Sequence, residues 1–128
     1  MKKYENFCKA VQNLKDIYDY EPPYDNVVTA GLTGLYEITF EQAWKAMKEI
    51  LSNHGLEQCQ SGSPRQVIKA AYKAGMIQDE DVWLSALSSR NNVSHAYNAV
   101  IALDIIEKTK STYYKMFLDL LKEMKNWI

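Results

Sequence analysis

Leu32, Leu35, Tyr36, Phe40, Ala43, Trp44, Met47, Ile50 and Leu51 recur at helical spacing along a proline-free stretch that runs from about residue 27 to His54-Gly55. Apolar side chains that return to one face every three or four residues suit an amphipathic helix; a strand would alternate its faces every second residue. A helix of that length cannot cover its own apolar stripe, so the rest of the chain must supply other elements to bury it. Gly31 and Gly34 near its start lower helix propensity, which points either to a frayed first turn or to the close approach of a neighbouring backbone.

The remaining segments repeat the pattern. Phe7, Val11, Leu14 and Ile17 predict a helix over residues 2 to 19, ended by Glu21-Pro22-Pro23. Gly55 suits the C-terminal end of the long helix, and residues 58 to 62 read as a polar loop. Ser63-Pro64-Arg65-Gln66 has the form of a capping box with proline at the first helical position, opening a short helix that turns Val67, Ile68, Ala71 and Tyr72 inward and stops near Gly75. Asp79, Glu80 and Asp81 then favour the positive end of a helix through Val82, Trp83, Ala86 and Leu87 to Arg90. Two further helices are expected at residues 95 to 107 and 109 to 126, on the periodicity of Ile101, Ile105, Tyr113, Phe117, Leu120 and Leu121. No strand pattern or internal repeat is visible. The expectation is an all-α fold, an up-and-down four-helix-type bundle with additional short helices, forming a single domain over residues 1–128. The apolar stripes exceed what one bundle buries, so dimerisation through the bundle is expected, with Trp83 and Trp127 as candidate interface residues.

Fifteen basic and sixteen acidic residues give a formal charge of -1, so any contact with RNA or a nucleotide must be local and cannot rest on a global basic field. Cys8 and Cys59 lack the spacing of a disulfide framework and no signal peptide is apparent, which predicts buried, reduced thiols in a cytoplasmic protein. Charged residues punctuate every segment, and no apolar run reaches the roughly 18 residues of a membrane span.

Of the two histidines, His54 sits beside the helix-ending Gly55 and reads as a capping or surface group. His95 lies five residues after Arg90, an offset that on one helix would separate their side chains by roughly 140°. Asn91-Asn92 offers a break, and Ser94 can cap a new helix beginning at His95. Arg90 would then end one helix and His95 begin the next, with free amides and the Tyr97 hydroxyl in the same first turn. This is an anion site in outline: imidazole to abstract a proton, a guanidinium fork for phosphate. Taken alone, the same residues also read as a capping arginine and a hydrogen-bonded core histidine. Glu37 and Glu41 lack a histidine or third carboxylate and read as a solvated or salt-bridged face, so no metal and no cofactor is expected.

Arg90-x-x-x-x-His95, with the polar Asn91 after the arginine and with Tyr97 two residues beyond the histidine, resembles the signature of the HEPN superfamily, in the form found beside minimal nucleotidyltransferases. Tyr36 through Lys45 is similar to the aromatic, Phe-Glu and Trp-Lys pattern of the nucleotidyltransferase substrate-binding protein family, and Ser63-Pro64-Arg65, Gly75-Met76-Ile77 and Trp83 match its middle section. The agreement covers roughly residues 30 to 100. The resemblance implies a homodimeric partner subunit of a separately encoded minimal nucleotidyltransferase, one half of a toxin–antitoxin pair, with Tyr97 as candidate AMP acceptor. It also implies an alternative, a metal-independent RNA endonuclease toxin in which Arg90 and His95 from two protomers act across a dimer cleft and Asn91 and Ser94 support the motif. The glycine-serine and paired-carboxylate apparatus of a nucleotidyltransferase is not found, so the chain itself is not expected to transfer nucleotides.

Overall fold

The computed structural model describes residues 2–56 and 62–128; the loop expected at 58–62, and Cys59 with it, falls almost wholly outside them. The chain forms α1 (Lys2–Leu14), a 3-10 turn (Lys15–Asp19), α2 (Asn26–Asn53), α3 (Pro64–Lys73), α4 (Glu80–Asn91), a second 3-10 turn (Val93–His95), α5 (Ala99–Lys108), a π-helical turn (Thr109–Tyr113) and α6 (Tyr114–Met124). No strand occurs among the described residues. The architecture is a helical bundle built around α2.

Local chemistry explains most boundaries. The side chain of Asp25 accepts from the Val28 amide and starts α2, while Gly55, at φ 89°, lets the chain leave it. Ser63 and Gln66 form the reciprocal capping box at α3, Gly75 follows that helix with φ 83°, and Asp79 caps α4. The helix expected over residues 2 to 19 instead tightens to 3-10 geometry after Leu14, which keeps Ile17 buried against Leu32 and Ile106 as the chain turns toward Pro22-Pro23.

The two last helices are one rod. Where a break was expected near residue 108, the rod continues through the π-helical turn, whose Thr109 hydroxyl donates back to the Ile105 carbonyl at 2.7 Å. The wider turn places Lys110 against the segment entering α2. Its backbone carbonyl accepts from the Tyr18 hydroxyl at 2.6 Å, and its ammonium donates to the Tyr20 carbonyl and, at 2.9 Å, to the Tyr24 hydroxyl.

Phe7, Tyr36, Phe40, Trp83, Tyr113 and Phe117 make the centre of the main core. Phe117 meets Phe7 and Trp83 edge-on, with ring centroids 6.1 and 5.7 Å apart. Each such ring contributes roughly 1.5–3 kcal/mol when fully buried. Trp83 is therefore internal and no interface residue. Trp127 packs against the same core and donates to Glu123 at 3.1 Å, so it too is occupied within the chain. Tyr72, expected inward, is exposed, because Val67, Ile68 and Ala71 suffice to seat the short α3. Cys8 is half-buried next to the Tyr4 hydroxyl rather than enclosed.

Candidate functional site

α4 ends at Asn91, and the Asn92 amide donates back to the Ser88 and Ser89 carbonyls, both at 3.1 Å. The chain then closes into the 3-10 turn through bonds from the His95 amide to the Asn92 carbonyl (2.9 Å) and from the Ala96 amide to the Val93 carbonyl (3.0 Å). The break needed between Arg90 and His95 is present. The new helix is not where Ser94 predicted it. It begins at Ala99, and its cap is Asn98, whose side-chain oxygen accepts from the amides of Val100 at 2.9 Å and Ile101 at 3.4 Å. Asn98 therefore takes the amides that an anion would have used, and Ser94, His95 and Tyr97 lie in the exposed connection before the helix. Tyr97 is 88% exposed, and its ring lies edge-on to that of His95 with centroids 6.4 Å apart.

Arg90 is held from behind. Its Nε and Nη2 both donate to Oε1 of Glu41 on α2, and its Nη1 donates to Oδ1 of Asn91 at 3.1 Å. The second oxygen of Glu41 accepts from the Trp44 indole at 3.1 Å. Both charged side chains are largely covered, at 28% and 23% exposure. The salt-bridged reading of Glu41 was correct; what sequence reasoning missed was that its partner is Arg90, 49 residues away.

Beneath this pair the core is polar at selected points. The Tyr36 hydroxyl donates to the Ala86 carbonyl, and burial holds its pKa well above the ordinary 10.0, helped by neighbouring Tyr113 and opposed by the positive charge of Arg90. Tyr113 stacks on Tyr36 at 5.2 Å and shares hydrogen bonds with Ser85 at 3.0 Å and Ser89 at 2.8 Å. These contacts fix the last two turns of α4 and hence the root of Arg90. His54 lies elsewhere, its Nε2 2.7 Å from the Trp127 carbonyl. A groove of about 540 Å³ between the start of α4 and α6, over Trp83, Met116 and Leu120, also lies apart from the Arg90–Tyr97 junction. Among the described residues no cluster of His, Cys, Asp or Glu could hold a metal ion, and no helix is long and apolar enough to cross a membrane.

The fold has solved counterparts. A Thermus thermophilus protein shares 26% identity with a TM-score of 0.82, over 93% of this chain and 98% of its own. A Haemophilus influenzae protein, described as revealing the fold of a substrate binding domain of a nucleotidyltransferase, superposes with a TM-score of 0.81 at 19% identity, over 95% and 98% of the two chains. No curated protein sequence matches. Residues 2–126 match the family described as nucleotidyltransferase substrate binding protein like, and the chain belongs to that family.

Proposed function

We propose that the chain is the HEPN-type partner subunit of a separately encoded minimal nucleotidyltransferase, acting in the cytoplasm as one half of a toxin–antitoxin pair. Family membership over nearly the whole chain carries the partner reading. The exposure of Tyr97 beside His95 carries the finer one: an adenylyl acceptor must present its hydroxyl to another protein's active site, and Tyr97 is the most exposed aromatic side chain among the described residues. In that step the Tyr97 hydroxyl attacks the α-phosphorus of ATP held by the partner, pyrophosphate leaves, and the phenolic proton passes to a base. The adduct would place bulk and negative charge next to the His95 ring. RNA phosphate would then be kept out of the junction that these residues form.

The functional unit in this reading is a homodimer. Val27, Gly31, Gly34 and Ile38 lie within roughly 60° of one another around α2. Val27 and Ile38 are exposed, Val27 at 82%, and a Cβ added to either glycine would meet nothing within 4 Å of this chain. Glycines that internal packing does not require, on an apolar helix face, suit the close approach of a second copy. α5, which packs along α2, adds Val100 at 77% exposure.

Incubation with the purified partner, ATP and Mg²⁺ tests the proposal by intact mass. One adenylyl group should be gained, and none by Tyr97→Phe. Partner binding without modification of Tyr97 would remove the acceptor role and leave the subunit role. RNA cleavage by the chain alone in EDTA, lost in His95→Ala, would establish the nuclease alternative.

A further inference from the structure

Glu41 lies outside the Arg90–Tyr97 segment, yet it forms a salt bridge with that segment's Arg90. An arginine can present two edges to a phosphate, and the Nε–Nη2 edge is already filled by the Glu41 carboxylate, while Asn91 takes a hydrogen of Nη1. The pair is largely covered, so its charges are screened less than those of a surface pair, and its net charge is zero. Trp44 donates to the other carboxylate oxygen at 3.1 Å, a contact to Glu41 that does not involve Arg90.

We propose that Glu41 is a resident counter-anion that sets how strongly Arg90 takes a phosphate: a ligand phosphodiester binds by exchanging with the carboxylate at the Nε–Nη2 edge, and Glu41 then remains on Trp44. This rests on the reading of Arg90 as a phosphate site. Glu41 is a positioning residue in this account, because it touches Arg90 and not the reacting atoms.

Glu41→Gln removes the charge and keeps an oxygen for Arg90. Binding of a short 2′-O-methyl RNA oligonucleotide, which lacks the 2′-hydroxyl needed for cleavage, is measured by anisotropy at several salt concentrations. Glu41→Gln should bind on the order of tenfold tighter than wild type. The slope of log affinity against log salt should steepen by about one, since a neutralised arginine becomes available to displace a counterion. Adding Arg90→Ala should erase the gain. A purely structural role for Glu41 would weaken binding and leave the slope unchanged.

If Arg90→Ala weakens binding but folded Glu41→Gln shows no gain, the counter-anion role is overturned and the Arg90 reading stands. If Arg90→Ala changes nothing in either background, both fall. Should Glu41→Gln fail to fold, the wild-type protein decides. Its Arg90 Nε–H resonance should shift on titration with the oligonucleotide, and a resonance unmoved at saturation overturns the exchange.

Discussion

His95 and Tyr36 show opposite relations between a side chain and the fold. The His95 ring is exposed on a turn closed by backbone hydrogen bonds, so His95→Ala should change unfolding free energy by less than about 0.5 kcal/mol in a denaturant titration. Tyr36 is enclosed and donates to the Ala86 carbonyl, so Tyr36→Phe should cost about 1 kcal/mol by the same measurement. Its pKa is raised in the folded state, so at high pH the native chain retains a proton that the unfolded chain loses. Stability is therefore full below about pH 10 and falls as pH rises beyond it, and that fall should be shallower in Tyr36→Phe. Arg90, His95 and Tyr97 were legible as a motif because they lie within one short segment. Glu41 was not, because its pairing with Arg90 depends on how two helices distant in sequence come to pack.

At the scale of elements, the cap at Ser63 and the acidic start of α4 at Asp79 were readable from the sequence, since a helix start is decided within four residues. The same locality misled at α5, where Ser94 and Asn98 are both competent caps. Asn98 prevails with two side-chain acceptances from the helix amides, while the preceding amides are consumed by the 3-10 turn. Asn98→Ala should destabilise the start of α5 by about 1 kcal/mol, seen as faster amide hydrogen exchange at residues 100–102. Unchanged exchange there would mean that the turn, and not the cap, sets the helix start. The π-helical turn reads as a gap between helices in the sequence because its inserted residue shifts the apolar register: Ile105 and Ile106 face inward before it, and Tyr113, Met116 and Phe117 at and after it.

For the molecule as a whole, the bundle was legible from periodicity, but the faces left uncovered were not. Trp83 and Trp127 are taken into the chain's own core, while the small-residue face of α2 stays uncovered. Alanine at Gly31 or Gly34 should stabilise the isolated monomer by roughly 0.5–1 kcal/mol. The same substitutions should weaken self-association in sedimentation runs, because a methyl group would hold two backbones apart. Equal association by the variants and the wild type would exclude this face as the dimer contact. Lys110 carries a different consequence. It ties down Tyr18, Tyr20 and Tyr24 from about 90 residues further along, so a chain leaving the ribosome amino end first completes α1 and α2 well before their connection can be fastened. Until the last helices emerge, α1 and α2 form a nascent pair with an unlatched joint, in a form that the finished protein no longer displays.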